Sequence, residues 1–152
     1  MYKKILVPTD GSDLSDQAVA AAIAFARAFG SEIVAFSVAQ PYPAFPAAEG
    51  AMVIDPGVEN RLLEAAAQKN VDKVAQAARA AGVPCTTATA FSYNPHEEII
   101  AAARDKQCDL IFMASHGRRG LSKLLAGSET QHVLTDSPVP VLVLRPQAHA
   151  SP

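Results

Sequence analysis

The fold is indicated most clearly by residues Asp109 to Gln131, which read DLIFMASHGRRGLSKLLAGSETQ. The first six of these residues form a short apolar run, which is typical of a strand buried on both faces of a sheet. Gly117 and Gly127 follow, and glycine lets a backbone approach a ligand with no Cβ in the way. Ser128 is predicted to cap a helix, with Gln131 three residues later completing a capping box. The stretch therefore predicts a strand, a glycine loop and a helix start whose free amides can bind a phosphate.

The rest of the chain alternates short apolar runs with segments of helical periodicity. The predicted strands are Ile5–Val7, Glu32–Ala39, Cys85–Phe91, Asp109–Ala114 and Val139–Leu144. The predicted helices start at Ser12 or Asp13 and stop at Gly30, run from Val58 to Ala81, start at Asn94 and carry Ala103, and run from Ser128 to Asp136. This alternation predicts a doubly wound α/β fold, with a five-stranded parallel sheet and helices on both faces. We expect one domain over residues 1–146, with an irregular proline-rich loop over residues 41–57 and a tail over residues 147–152.

Composition excludes several classes of protein. The chain has 152 residues, of which 49% are hydrophobic and 18% are charged, so it can build one sizeable core. Its 13 basic and 15 acidic residues give a formal charge of −2, which argues against a general nucleic-acid binder. Cys85 and Cys108 have neither metal-ligand nor redox-pair spacing and indicate reduced thiols in a cytoplasmic protein. No apolar run approaches membrane-spanning length, and no Walker A motif or G-x-S-x-G elbow is present.

The candidate site lies in the turns after the first and fourth strands. Ligands of a doubly wound sheet bind at the carboxyl ends of the strands, where the winding reverses direction. Thr9, Asp10 and Ser12 lie in the first turn, and residues 114–127 form the second. A carboxylate facing a phosphate-binding helix start suits a nucleotide, with Asp10 accepting from ribose hydroxyls or binding a metal that bridges the phosphates. His116 is interpreted as ordering the loop, while Arg118 and Arg119 either clamp phosphates or remain solvated.

Several segments together resemble the universal stress protein family across essentially the whole chain. They are KKILVPTDGS at residues 3–12, NPHEEI at 94–99, SHGRRG at 115–120, Gly127-Ser128 and PVPVLV at 138–143. Family members that bind ATP carry a loop written G-x-x-G-x9-G-[S/T]. On this chain the last three positions of that pattern fall on Gly117, Gly127 and Ser128, and Ala114 stands where the first glycine would be. Glu129 is a second departure, because it puts a negative side chain in the first turn of the phosphate-binding helix.

The resemblance implies a Rossmann-like sheet of strand order 3-2-1-4-5 that binds ATP, with Mg²⁺ as a companion ion. It implies adenine contacts around Val38, ribose contacts at Asp10, and phosphate contacts from the glycine loop and the helix start. The candidate nucleotide site comprises Pro8, Thr9, Asp10, Val38, Met113, Ala114, Gly117, Gly127, Ser128, Glu129 and Thr130. No catalytic residue is predicted.

Three functions remain open at this point. The first is an ATP-binding sensor or regulator of the stress response with little or no turnover, acting on an unidentified regulatory partner. The second keeps the fold without the nucleotide, as a dimeric adaptor that acts through protein contacts. The third is a slow metal-dependent ATPase in which Asp10 holds the metal and His116 or Arg118 lies near the γ-phosphate. The edge strand Val139–Leu144 is expected to pair with its own copy in a homodimer, since an exposed apolar edge invites aggregation. The alternative is that residues 147–152 fold back and cover this edge.

Overall fold

The computed structural model describes residues 1–42, 48–50, 55–117 and 126–146. Strands and helices alternate throughout these ranges. In chain order they are β1 (Lys4–Pro8), α1 (Asp13–Phe29), β2 (Glu32–Ala39), α2 (Pro56–Ala80), β3 (Cys85–Phe91), α3 (Pro95–Asp105), β4 (Leu110–Ala114), α4 (Ser128–Asp136) and β5 (Val141–Leu144).

The strands form one parallel sheet in the order β3-β2-β1-β4-β5. In the register of the two central strands, Ile5 of β1 pairs with Leu110 of β4, and Leu6 pairs with Ile111. The winding reverses between β1 and β4, because the chain moves outward to β2 and β3 before it returns to the other side of β1. The predicted doubly wound fold and its strand order are confirmed, and the reversal places a crevice above the ends of β1 and β4.

Both faces of the sheet are covered, as continuous apolar strands require. Side chains alternate between the faces along a strand, so Ile5 and Leu6 enter different clusters. Ile5 packs with Val19 of α1 and Val71 of α2 on one face. Leu6 packs with α3 and with Val133 of α4 on the other face. The four helices therefore sit as two layers that hold the strand ends, and the loops that follow them, in fixed positions.

Helix α1 ends and begins where the sequence predicts. Ser12 is its N-cap, and the Ser12 side chain accepts a hydrogen bond from the Ser15 amide. Gly30 is its C-cap with φ of +68°, in the left-handed region that glycine enters without a Cβ penalty.

The predicted cap of α4 is wrong by one residue. Gly127 is the N-cap, Ser128 is the first helical residue, and no side chain caps the helix start. The predicted capping box is also wrong, because the Gln131 side-chain amide donates to the carbonyl of Ala126 at 2.6 Å instead of reaching back to a helix amide. Glycine replaces serine as the cap because its backbone closes the loop, with the Gly127 amide donating to the Ser115 carbonyl at 2.7 Å.

The bounds of four further elements differ from the predicted ones, and the first of these, β1, extends one residue beyond the predicted strand at each end. Strand β4 begins at Leu110, and Asp109 just before it accepts from the amides of Lys3 and Lys4 with its carboxylate. Strand β5 begins at Val141 and not at Val139, since the prolines at 138 and 140 have no N–H for a ladder. Helix α2 spans Pro56–Ala80 rather than Val58–Ala81, with Asp55 as its N-cap and proline at the first turn.

Some predictions concern residues outside the described ranges. Residues 43–47 and 51–54 of the expected proline-rich loop, Arg118 and Arg119 of the glycine loop, and the tail at 147–152 belong to this group. None of the helices within the described ranges has the length and apolar character needed to cross a membrane.

Candidate functional site

Among the described residues, a cavity of about 510 Å³ lies above the carboxyl ends of the central strands. The turns after β1 and β4 form its floor, and α2, α3 and α4 contribute to its walls. All eleven residues of the predicted site line this one cavity: Pro8, Thr9, Asp10, Val38, Met113, Ala114, Gly117, Gly127, Ser128, Glu129 and Thr130. Residues from separate segments of the chain are thus brought together at the point where the winding reverses.

The turn after β1 holds Asp10 at the cavity. The Asp10 carboxylate accepts from the Ser12 amide at 2.9 Å, as short polar side chains do in turns. Buried Thr9 fixes the start of the turn, since its Oγ1 accepts from the Gly11 amide at 3.2 Å and lies 2.7 Å from Ser15 Oγ. Gly11 has φ of +76°, which lets the chain turn directly into α1. The carboxylate position is therefore set by the backbone and by α1.

Gly117 allows the two turns to meet. A Cβ built on Gly117 would overlap the carboxylate of Asp10. A Cβ on Gly127 would lie 3.2 Å from the Cβ of His116, which is close but can be relieved by a small shift. Neither glycine has a positive φ, so both are explained by close approach of neighbouring atoms.

The alanine in the first glycine position of the motif fits the same geometry. Ala114 has no positive φ, and its side chain is buried in a small cluster with Leu14 and Ala18 of α1. The buried hydroxyl of Thr130 donates to the Ala114 carbonyl at 3.0 Å and so joins α4 to the end of β4. The backbone at this position is compatible with a side chain, and the departure from the motif leaves the cavity in place.

The N-terminus of α4 lies at the cavity. Its first amides are not used by hydrogen bonds within the helix. The first intrahelical bond runs from the Gln131 amide to the Gly127 carbonyl at 3.0 Å. The amides of Ser128, Glu129 and Thr130 precede that bond, and Gly127 supplies no side chain to cap them. Ser128, the first helical residue, is exposed and does not serve as the cap. Such a helix start favours an anion through its amides and its dipole.

Glu129 is directed towards α3. Its Oε2 atom accepts from the His96 amide at 2.7 Å and lies 2.9 Å from His96 Nδ1. Asn94, the N-cap of α3, makes no side-chain cap bond, so Glu129 supplies the oxygen that α3 would otherwise lack. The His96 ring stacks on His132, with ring centroids 4.4 Å apart. The Glu129 carboxylate, although it belongs to the first turn of α4, is thus bound by the first turn of α3.

Sequence reasoning missed the wall that α2 contributes. Leu63, Ala66, Ala67 and Asn70 line the cavity with the spacing of one helix face. The helix was predicted from its periodicity, and its buried stripe is formed by Ala67, Val71, Val74 and Ala78. Periodicity does not reveal that part of such a stripe faces a cavity and not the core. Asn70, a polar residue in line with this stripe, is the available signal. The other cavity residues that the prediction omitted are Ser15, Phe36, Ala39, Gln40, Tyr42, Pro95, Ile99 and His116.

The cavity therefore has an apolar part and an anion-binding end. Val38, Ile99 and Met113 supply apolar surface on the α3 side. Asp10 and the start of α4 line the same cavity and supply a carboxylate and free amides. The cavity can therefore receive apolar surface, hydrogen-bond donors and an anionic group.

Titratable groups with shifted pKa values lie at the opposite ends of the strands. Burial raises the pKa of the Cys108 thiol to about 11, despite the opposing effect of Lys4. Burial also raises the pKa of Cys85. Within the described ranges, no group of three or more His, Cys, Asp or Glu side chains is arranged to hold a metal ion.

The sequence and the fold of this chain are similar to those of known proteins. The family model described as the universal stress protein family matches residues 1–145. Universal stress protein MJ0531 of Methanocaldococcus jannaschii is 36% identical over 147 residues, covering 95% of this chain and 83% of that protein. The solved structure of MJ0577, from the same organism, has a TM-score of 0.76 and 30% identity, covering 97% of this chain and 99% of that chain.

One further structure shares the fold. It is a universal stress protein solved in complex with cAMP, with a TM-score of 0.66 and 23% identity. It covers 95% of this chain and 97% of that chain.

Proposed function

Since this chain belongs to the universal stress protein family, we propose that its cavity binds ATP or another adenine nucleotide. The bound state would act as a regulatory signal in the stress response, with little or no catalytic turnover. The observation that carries the proposal is the meeting of the eleven predicted residues around one cavity. Those residues were selected from the sequence, and the chain folds so that they converge.

The chemistry of the cavity suggests how the nucleotide lies. The base would occupy the apolar part near Val38 and Met113, and the ribose hydroxyls would donate to the Asp10 carboxylate. The phosphates would receive the amides of Ser128, Glu129 and Thr130, together with the Ser128 hydroxyl. The engagement of Glu129 by His96 keeps a carboxylate away from these phosphates. The protein solved in complex with cAMP shares this fold and holds an adenine nucleotide.

Mg²⁺ would depend on the nucleotide for most of its ligands. Magnesium is commonly held by one or two carboxylates together with substrate phosphates and water. The Asp10 carboxylate lies against the glycine loop, since a Cβ on Gly117 would overlap it. The residues therefore fit an ion that arrives with the nucleotide, and a stable metal centre without nucleotide is not expected.

A homodimer through β5 is part of the proposal. Strand β5 pairs with β4 on one side only and is the last strand in the sheet order. Its four residues are only partly buried, although all four are apolar. Pairing with a second copy would complete the hydrogen bonds of this edge.

The test is a thermal melt with and without Mg-ATP, using a matched pair of variants on α2. Ala66 and Ala65 are neighbouring exposed alanines, but only Ala66 lines the cavity. Ala66→Phe would fill part of the cavity, while Ala65→Phe adds the same side chain on a different face of the helix. At ligand near one hundred times Kd, binding stabilises by about 2.7 kcal/mol, or roughly 5 to 10 °C for a domain of this size.

The expected result is a nucleotide-dependent rise in Tm for the wild type and for Ala65→Phe, with little or no rise for Ala66→Phe. Equal rises in both variants would place the binding outside this cavity. No rise in the wild type would contradict nucleotide binding. A phosphate-release assay on the same samples tests turnover, and metal-dependent release that is lost in Asp10→Ala would favour a slow ATPase.

A further inference from the structure

Asn70 of α2 lies at the boundary between the cavity and the buried ends of β1 and β2. It shares one face of the helix with Leu63, Ala66 and Ala67, and all four line the cavity. Three positions of this face are apolar and the fourth is an amide. The two alanines leave room beside the helix, and Asn70 is the polar group at the end of that surface.

The hydrogen bonds around Asn70 determine which way its amide points. The buried Ser37 hydroxyl lies 2.7 Å from the Thr9 carbonyl, and a carbonyl only accepts, so the Ser37 hydroxyl donates its one proton there. Ser37 Oγ can therefore only accept from Asn70, which lies 3.3 Å away. The amide nitrogen of Asn70 must face Ser37, because its carbonyl oxygen would place two acceptors against each other.

In this orientation, Asn70 has one hydrogen-bond acceptor and one donor that are not used by the described part of the protein. One hydrogen of Nδ2 is used by Ser37, and Oδ1 has no hydrogen-bond partner among the residues that the structure describes. The cavity side of Asn70 thus presents an acceptor beside the second amide hydrogen. Adenine offers the complement, since its 6-amino group donates and the neighbouring ring nitrogens accept, and asparagine reads adenine in this way elsewhere.

We propose that Asn70 is the residue that selects adenine over 6-oxopurines in this cavity, and that Ser37 is a positioning residue that fixes its amide. Asn70 Oδ1 accepts from the 6-amino group, and the second Nδ2 hydrogen is donated to an adjacent ring nitrogen. A 6-oxopurine places its carbonyl oxygen against Oδ1, so two acceptors meet and the bond is lost. The inference rests on the proposed nucleotide function and adds the origin of base selectivity to it.

The experiment is calorimetric titration of the wild type with Mg-ATP and with Mg-ITP. The two nucleotides share the ribose and the triphosphate and differ in having an amino or an oxo group at position 6. The wild type is expected to bind ATP on the order of tenfold more tightly than ITP, as for one bidentate base contact. Equal affinities would overturn the inference while leaving nucleotide binding intact.

Two variants give different expected signatures. Asn70→Leu retains a side chain of similar size without the amide, so ATP affinity should fall to about that of ITP and the preference should disappear. Ser37→Ala frees the Asn70 amide to rotate and to present Nδ2 to the oxo group of ITP. The affinity for ITP should therefore rise, and the ratio of ATP affinity to ITP affinity should fall. Circular dichroism confirms that each variant is folded.

Three further outcomes contradict the inference. Unchanged affinities for both nucleotides in a folded Asn70→Leu variant would place base selection elsewhere. Equal weakening of both nucleotides would indicate that Asn70 contacts the ribose or only supports the fold. Absence of binding of either nucleotide to the wild type would overturn the proposed function and this inference together, which separates that case from the others.

Discussion

Gly117 and Gly127 illustrate how a motif glycine can be required by contact and not by backbone torsion. Both have φ values outside the left-handed region. Gly117 lies against the Asp10 carboxylate, and Gly127 lies against His116 while its amide closes the loop onto Ser115. The loop after β4 therefore depends on the turn after β1, and a change in one displaces the other.

Gly117→Ala is expected to weaken ATP binding by about tenfold or more, because Asp10 must turn away from the added Cβ and would lose the hydrogen bond that we propose it makes to the ribose. Gly127→Ala should have a smaller effect, since His116 needs to move by only a few tenths of an ångström. Isothermal titration with Mg-ATP measures both. Equal effects of the two alanines would contradict the contact that we assign to Gly117.

Asp109 holds the N-terminus against the start of β4. Its carboxylate accepts from the Lys3 amide at 2.9 Å and from the Lys4 amide at 3.0 Å. Partial burial acts to raise the pKa of Asp109, but these amides outweigh that effect and hold the pKa below its usual value. The folded state therefore favours the ionised carboxylate, and its contribution to stability is present above the pKa of the unfolded chain.

Asp109→Asn should lower Tm by about 2 to 4 °C at pH 7, because the neutral amide offers one acceptor oxygen where the carboxylate offers two. The difference from the wild type should shrink as the pH falls below about 4, since the wild-type carboxylate is then protonated in the unfolded chain and afterwards in the folded one. Differential scanning calorimetry at pH 7 and pH 3 measures the difference in Tm between the wild type and Asp109→Asn. A difference that stays constant across this range would exclude the ionised carboxylate as its source.

At the scale of elements, α3 and α4 share one side chain at their N-terminal ends. Glu129 belongs to α4 but caps α3 through the His96 amide, while Asn94 makes no cap bond of its own. The two helix starts that meet at the cavity are thereby held together. A shift of α4 on ligand binding would be felt by α3 through this contact.

Glu129→Ala is expected to lower the free energy of unfolding by about 1 kcal/mol, which is typical for loss of a helix cap. Asn94→Ala should cost much less than a normal cap substitution, because the Asn94 side chain caps nothing. Urea denaturation of both variants compares them directly. If Asn94→Ala proved the more costly change, the capping role would belong to Asn94 and our assignment would be wrong.

Element order was predictable from the sequence, whereas contacts between elements were not. Alternating apolar runs and helical periodicity indicated every strand and helix, and Ser12 and Gly30 marked the ends of α1. The cap of α4 was misassigned because serine is a common N-cap residue and Ser128 stands at the helix start. The actual cap, Gly127, is set by the hydrogen bond of its amide to the carbonyl of Ser115, twelve residues earlier. The place of Asn70 in the cavity wall was not predictable for the same reason, since the position of α2 over the strand ends depends on the whole fold.

At the scale of the whole molecule, the sheet has one edge that is short and apolar. The amides of Ile111 and Ser115 donate to the carbonyls of Pro140 and Leu144, so the even-numbered backbone groups of β5 face β4. Groups of one residue point to the same side of a strand, and alternate residues point to opposite sides. The N–H groups of Val141 and Val143 therefore face outward, where a second copy would pair.

Val143→Pro should dissociate the proposed dimer, because proline removes an outward N–H without removing a bond to β4. Val143→Ala is the control, since it also shortens the side chain but keeps that N–H. Light scattering coupled to size exclusion reports the mass of each. A dimer that survives Val143→Pro, or a wild type that is monomeric, would contradict pairing through β5.

The central claim is that the start of α4 and the turn after β1 bind one adenine nucleotide. Titration of isotopically labelled protein with Mg-ATP, followed by amide chemical shifts, tests it most directly because each amide reports its own position. We predict saturable shifts at Ser128, Glu129 and Thr130 together with shifts in the turn at Asp10 and Gly11. Absence of shifts at saturating nucleotide, or shifts confined to residues outside the cavity such as those of β5, would contradict the account.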